Sequence, residues 1–112
     1  MAMTVVQYAL TKLSEELTEA AQECAKIAQF GFDSFNPTDV TQTTNLERLL
    51  GELHDVEGAK AFLNEVSYGK FEFVPNTLRA LNKMDKIRRH LDISISMGHV
   101  EREDEISEDE EE

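Results

Sequence analysis

Two acidic motifs, far apart along the chain, carry the residue types best suited to chemistry. The first is EELTE at residues 15–19, and the second is ELHD at residues 52–55. Each places two carboxylates three residues apart, which brings their side chains onto one face of an α-helix. Acids gathered on two facing helices repel one another unless a cation lies between them. The spacing therefore indicates a cation site built from two helices.

An all-carboxylate site favours magnesium among the biological metals. Mg²⁺ is a hard ion that binds carboxylates, keeps several waters and accepts phosphate oxygens as further ligands. A di-iron bundle needs Glu-x-x-His motifs, and none of the three histidines has a glutamate three residues before it. Zinc needs clustered Cys and His, whereas the chain has one Cys and three scattered His.

The same acids also admit a simpler interpretation, in which they are solvated or paired with Lys12, Lys26 or Arg48. Glu is an ordinary surface residue of helices. In the second motif, however, the helical line through positions 52, 55, 59, 62 and 66 ends in three apolar residues, so that face is expected to be covered. Acids on a covered face are costly unless they are paired or bound to metal. The residues alone do not decide between a metal site and acids that are solvated or paired.

Hydrophobic periodicity predicts the helices that would position these motifs. Residues 4–30 show apolar residues at steps of three and four, and Gly31 is placed to end that helix. A second helix is predicted over residues 45–67, behind a capping box formed by Thr44 and Glu47. A third covers about residues 76–90, while 91–100 fit either its continuation or a strand. The fold class is therefore all-α, predicted as an antiparallel bundle of three to four helices.

The apolar stripe of the first helix predicts its buried face. Its members are Val6, Leu10, Leu13, Leu17, Ala20, Cys24 and Ile27. Relative to this stripe, Glu16 and Glu19 fall together on one border, and Glu15 points about 100° away from Glu16. Cys24 is interpreted as a packing residue, because free cysteines are commonly buried.

Composition indicates one small domain followed by an acidic tail. The chain has 112 residues, of which 40% are hydrophobic, enough for a modest core. Its net charge is −12, and the last twelve residues contribute −8 of it. We therefore expect a folded domain over residues 1–100 and a disordered tail over 101–112.

No basic face dominates, which argues against nucleic-acid binding. Without a membrane-length apolar run, a secretory signal or a cysteine pair, a cytoplasmic protein is expected.

Lys26 is the best candidate for a phosphate contact. The chain contains no P-loop pattern, so bound phosphates would have to be held by metal and by basic side chains. Lys26 lies seven residues beyond Glu19, two turns along the same face. The alternative is an ion pair with Glu23 at the i,i+3 spacing.

The order of these motifs resembles the MazG-like all-α nucleoside triphosphate pyrophosphohydrolases, above all the short single-domain members common in bacteriophages. The similarity covers residues 6–62 and combines EExxE, then Lys-x-x-x-Phe-Gly at residues 26–31, then ExxD. The interval between Glu19 and Glu52 is longer than in many members, and His54 stands where a small or amide residue is common.

The resemblance implies an activity and a role for each acid. The expected reaction cleaves (d)NTP between the α and β phosphates to (d)NMP and pyrophosphate, with Mg²⁺ or alternatively Mn²⁺, and so controls nucleotide pools. Glu16, Glu19, Glu52 and Asp55 would be the metal ligands, and Glu15 would orient a ligand or the attacking water. Members of the family are usually homodimers or homotetramers, which is the assembly expected here.

Base preference and two other functions stay open. The tryptophans that stack the base in some relatives are absent, which leaves Phe32, Phe35 or Tyr8 for that role. The acidic tail would also suit a non-catalytic interaction protein that mimics DNA. A third alternative is a chain that binds nucleotides without cleaving them.

Overall fold

The structure, a computed structural model, describes residues 1–102. These residues form three helices, α1 (Val5–Phe30), α2 (Asn45–Val66) and α3 (Thr77–Ser96), and no strand occurs among them. The all-α prediction is confirmed. The chain divides into two compact units, residues 1–73 and the part from residue 74 onward, and each is described by itself. From residue 103, the predicted acidic tail lies outside the described residues.

Local capping fixes where the first two helices begin and end. Thr44 and Glu47 form the predicted capping box, since each donates a backbone N–H to the other's side-chain oxygen at 3.1 Å. Gly31 ends α1 with φ at +94°, a left-handed conformation that favours glycine. Its N–H donates to the carbonyl oxygen of Ile27 at 2.8 Å. The sequence thus predicted both boundaries to within about one residue.

The third helix resolves the ambiguity of residues 91–100. α3 begins after Asn76, whose side chain accepts a hydrogen bond from the Arg79 N–H at 2.9 Å. It continues without a break to Ser96, so most of the ambiguous segment is helical and not a strand. None of its residues is buried. Across 1–102, no helix combines the length and hydrophobicity needed to cross a membrane.

α1 and α2 form an antiparallel pair with a narrow seam. At one end, the Asn45 side-chain amide at the start of α2 donates to the Gly31 carbonyl at the end of α1, at 3.2 Å. The buried residues of the two helices are Ala9, Ala20 and Glu23 on α1, and Asn45, Val56 and Leu63 on α2. They are separated by 3, 7 or 11 residues, which are sums of steps of three and four, the spacing of a helix–helix seam. Leu63 is the largest of the fully buried side chains, with 2% of its surface exposed.

The seam follows the predicted stripe only in part, since Ala20 is buried and Val6, Leu13 and Ile27 are half-buried. Leu10 and Leu17 keep 49% and 52% of their surface exposed, and Cys24 is exposed as well; the prediction that Cys24 packs in the core is wrong. Ala20, a member of the predicted stripe, shares with Ala9 and Glu23 the line that faces α2. α1 carries apolar residues on two adjacent lines, and periodicity cannot tell which of them a partner will cover. Small alanines on the inner line allow two helix backbones to approach.

On α2, the predicted covered line is covered only in part. Glu52, Ala59 and Val66 are half-buried, while Asp55 and Phe62 are exposed. Glu52 is spaced four residues before Val56 and seven after Asn45, so it continues the seam itself. One of the two acids in the second motif therefore points between the helices, and the other lies at the seam's edge.

Candidate metal centre and adjoining pocket

Three of the predicted ligands meet across the helix pair. Glu16 from α1 and Glu52 and Asp55 from α2 each offer a carboxylate oxygen, and these oxygens all lie within 4.8 Å of one another. Glu16 and Glu52 are half-buried, and Asp55 is exposed. The antiparallel pairing brings the two motifs level, because residues near 16 on α1 stand opposite residues near 55 on α2. The cluster is therefore closed on the seam side and open at Asp55.

Burial and mutual repulsion both make this cluster unfavourable when every acid is ionised. Burial raises the pKa of Glu16, and the charges of Glu19 and then Asp55 raise it further. Burial likewise raises the pKa of Glu52, followed by its hydrogen bond with the Glu19 carboxyl group and by the surrounding negative charges. Both shifts have the causes expected of like charges gathered in a poorly solvated place.

Within the described residues, Glu16 and Glu52 each have one carboxylate oxygen without a hydrogen-bond partner. Oε2 of Glu16 and Oε2 of Glu52 are buried and make no hydrogen bond there. A buried carboxylate oxygen without a donor is costly. Such atoms call for a proton, an ordered water or a cation.

Glu19 and Glu15 lie further out than Glu16. Glu19 is exposed, yet it is close enough to both Glu16 and Glu52 to affect their pKa values. Glu15 forms an ion pair with Lys12 at 3.1 Å. Glu15 and Glu19 also line an open groove along α1. The structure therefore brings Glu19 beside the cluster and leaves Glu15 at its periphery.

The simpler interpretation, in which basic residues neutralise the cluster, does not fit the ion pairs that form. Lys12 pairs with Glu15, Lys26 with Glu23, and Arg48 with Asp39. Of the salt bridges in the part of the chain that the structure describes, none involves a carboxylate of the cluster. The three basic residues that could neutralise the cluster therefore pair with other carboxylates.

The donor set fits a hard divalent cation. It consists of carboxylate oxygens from two helices, two of which are buried without a partner. Mg²⁺ is bound by carboxylates while keeping several waters, and the exposed side at Asp55 leaves room for them. Glu16, Glu52 and Asp55 would hold such an ion directly, and Glu19 is placed to join them.

Lys26 does not stand free beside these acids. Its ammonium contacts Oε1 of Glu23 at 3.1 Å, which is the alternative that the spacing allowed. Glu23 is a buried seam residue with only 8% of its surface exposed. Lys26 itself remains largely exposed and lines a separate pocket.

That pocket lies at the loop end of the helix pair, with a volume of about 560 Å³. Residues from the end of α1, the connecting loop and the start of α2 form its wall, among them Lys26, Phe30, Phe35, Asn45 and Arg48. The volume falls within the range of small-molecule sites. Below, this cavity is called the loop pocket.

One aspartate orders the second half of the loop that walls this pocket. Asp39 accepts hydrogen bonds from the backbone and hydroxyl of Thr41 at 2.9 and 2.6 Å, from the Thr43 N–H at 3.2 Å, and from Arg48 Nη2 at 2.6 Å. The bonds from Thr41, more than any other contact, hold the pKa of Asp39 below its ordinary value. A loop as long as this one is commonly functional or disordered, and here it is held in place.

Of the two aromatic residues in the pocket, the sequence predicts a ligand contact for Phe35 but not for Phe30. Phe35 was a candidate for base stacking and does line the loop pocket, whereas Phe32 and Tyr8 do not. Phe30 was seen as part of a motif, although its position four residues beyond Lys26 could have placed it on the same line. Arg48 and Asn45 carry no sequence signal for this role, because only the loop's path brings them to the cavity.

Comparison of the chain with models of protein families, with curated proteins and with solved structures finds no match. Membership of the MazG-like family therefore stays a proposal, and it rests on the motifs and on the geometry above.

Proposed function

We propose that this chain is a Mg²⁺-dependent nucleoside triphosphate pyrophosphohydrolase, a MazG-like enzyme that cleaves (d)NTP to (d)NMP and pyrophosphate. The observation that carries the proposal is that Glu16 and Glu52, two members of one three-acid cluster, each have a buried oxygen without a partner. A core seam tolerates two such acids at a cost in stability. A cost of this kind is typical of a site kept for function.

Each acid has a role that follows from its position. Glu16, Glu52 and Asp55 would hold the ion, and Glu19, which is exposed beside them, would complete the set on the solvent side. When bound, Mg²⁺ supplies positive charge that offsets the charge of the phosphates and favours ionisation of the attacking water. Glu15, held by Lys12, would keep the first turn of the motif in place and steer water at its edge.

The chain needs little further machinery for this reaction. Phosphoryl chemistry depends mainly on positioning and on stabilising charge. The seam holds Glu16 and Glu52 in place because their neighbours along it, Ala20 and Val56, are buried. The carboxylates are thus set on two packed helices and not on a mobile loop, which favours precise placement of a substrate.

A nucleotide panel assayed with Mg²⁺ tests the proposal. We expect release of pyrophosphate and nucleoside monophosphate, and a loss of activity of at least about 100-fold in Glu16→Gln and Asp55→Asn, since even removal of a metal's outer partners costs about 10- to 100-fold. Glu57→Gln is the matched control, because Glu57 is an exposed α2 acid paired with Lys60. Hydrolysis that persists in both cluster variants would disprove the assignment. Binding of nucleotide without cleavage would favour the non-enzyme alternative.

The exposed apolar flank of the helix pair supports a homodimer or homotetramer. Leu10 and Leu17 on α1 and Leu53 on α2 each keep about half of their surface exposed, and they lie on the side of the seam opposite Glu19 and Lys26. Two helices alone rarely bury enough apolar surface for stability. A second copy covering this flank would supply the missing burial without obstructing the acids. A cytoplasmic location stays a prediction of the sequence.

A further inference from the structure

We propose that the loop pocket binds the nucleoside part of the substrate, with the base against Phe30 and Phe35 and the adjoining phosphate against Lys26 and Arg48. The inference rests on the proposed function, because it assigns the two ends of one ligand to two neighbouring sites. Lys26 and Phe35 are sequence candidates for phosphate and base contacts, and the pocket joins them in one cavity with Phe30, Asn45 and Arg48.

The pocket residues and the acids are aligned along the two helices. On α1, Glu19, Lys26 and Phe30 are separated by steps of seven and four residues, so they share one flank. On α2, Arg48 and Asp55 are separated by seven residues and share a flank in the same way. The loop pocket and the carboxylates therefore open on the same side of the helix pair.

Acids, basic side chains and aromatic rings follow one another in a fixed order along that flank. Lys26 lies about 10 Å from Glu19 by helical rise, and Arg48 about 6 Å from Glu52. Phe30 and the loop lie beyond these two cations, farther from the acids. The order is thus acids, cations, aromatic rings, which matches the order of phosphates and base in a nucleotide bound with its outer phosphates at the metal.

The two basic side chains, Lys26 and Arg48, are held in ion pairs but still have hydrogen-bond donors to spare. Each is anchored by one carboxylate, Lys26 by Glu23 at 3.1 Å and Arg48 by Asp39 at 2.6 Å. An ammonium has three donors and a guanidinium has five, so both retain donors after these bonds form. Both side chains remain partly exposed. They are held in position and still able to bind a phosphate.

Two aromatic rings are exposed at the end of the loop pocket that lies farthest from the acids. Phe30 keeps 61% of its surface exposed and Phe35 keeps 40%. Aromatic faces stack readily on nucleobases. The buried amide of Asn45 lines the same cavity, oriented by its bond to the Gly31 carbonyl. Together with the ordered loop, these groups form a cavity whose shape exists before a ligand arrives, which lowers the cost of binding.

Binding of nucleoside 5′-monophosphates to the full chain without metal tests this inference, and the two phenylalanines provide a matched pair. Phe30→Ala removes a ring that lines the pocket, and Phe32→Ala removes one of similar exposure, 58%, that does not. We expect calorimetry to show about 5- to 100-fold weaker binding in Phe30→Ala, the range for loss of one stacked base. Phe32→Ala should stay within about twofold of the parent, as surface substitutions usually do. Phe35→Leu, which keeps most of the side-chain bulk, should also weaken binding.

Two further measurements separate the outcomes. Ribose 5-phosphate should bind weakly and equally to the parent and to Phe30→Ala, because it lacks a base. Equal affinities of Phe30→Ala and Phe32→Ala for monophosphates would overturn the inference, and so would ribose phosphate binding as tightly as the nucleotides. If the parent cleaves triphosphates and Phe30→Ala leaves KM unchanged, the pocket assignment fails while the proposed function stands. If no triphosphate is cleaved but Phe30→Ala still weakens monophosphate binding, the proposed function fails and the nucleoside site stands.

Discussion

Glu16 and Glu52 face each other across the α1–α2 seam, with carboxylate oxygens no more than 4.8 Å apart and each with one buried oxygen that has no partner among the described residues. Helix seams usually carry apolar residues at such positions. The pair therefore lowers the stability of the metal-free protein, and a cation would convert it into a cross-link between the helices.

The first prediction concerns stabilisation by Mg²⁺. At a free ion concentration about 100 times Kd, binding should raise the free energy of unfolding by about 2.7 kcal/mol, which thermal unfolding with and without Mg²⁺ can measure. Glu16→Gln should abolish this response, since it removes a ligand charge. Without metal, the same variant should unfold at a higher temperature than the parent, because it relieves repulsion with Glu52. A parent protein whose unfolding is indifferent to Mg²⁺ would contradict the metal site.

The second prediction concerns pH in the metal-free protein. The raised pKa values of Glu16 and Glu52 mean that the folded state holds protons which the unfolded state has released. Their stabilising effect is complete below the ordinary pKa of glutamate, about 4.3, and is lost as pH rises through the raised values. Urea unfolding should therefore give a free energy of unfolding that falls as pH rises from about 4.3 through the raised pKa values. Glu16→Gln combined with Glu52→Gln should flatten that slope.

Asp39 acts in the opposite direction and at lower pH. Its pKa is lowered by its bonds to Thr41, Thr43 and Arg48, so its stabilising effect is present above the ordinary aspartate value of about 3.9 and is lost as pH falls through the lowered one. The two effects thus occupy separate windows. Asp39→Asn should alter only the acid side of the profile, and a change on the neutral side would contradict this division.

The third prediction concerns the exposed apolar flank. Leu17→Lys places a charge in the middle of that flank and should shift the protein toward monomer, because a charge is costly in an apolar interface. Light scattering after size-exclusion chromatography can measure the change in mass. Gln22→Lys, about 140° around α1 from Leu17 by helical geometry, should leave the mass unchanged. A parent protein that is already monomeric at high concentration would rule out self-association through this flank.

The fourth prediction concerns the core. Leu63 is almost completely buried, and Leu63→Ala should lower the free energy of unfolding by about 2–5 kcal/mol through lost burial and a residual cavity. Leu50→Ala on the same helix, where about half of the side chain is exposed, should cost clearly less. Chemical denaturation of both variants gives the comparison. Equal losses would place the core of the helix pair elsewhere.

The helices of this protein follow from local features of its sequence. The capping box of Thr44 and Glu47 and the left-handed Gly31 are local features, since each depends on hydrogen bonds or backbone angles within a few residues. Helical periodicity and the spacing of the two acidic motifs are local as well. They were therefore sufficient to predict an all-α chain and to single out the acids that the structure gathers.

Which line of α1 meets α2 depends on how the two helices pack, and local sequence does not predict it. The apolar stripe through Leu10, Leu17 and Cys24 was the stronger sequence signal, yet the seam formed along the alanines and took Glu16 and Glu23 with it. Hydrophobic patterning reports that a line will be covered but not by what, because the hydrophobic effect is not directional. The loop pocket was beyond sequence reasoning for the same reason: its residues come from three segments that only the path of the loop brings together.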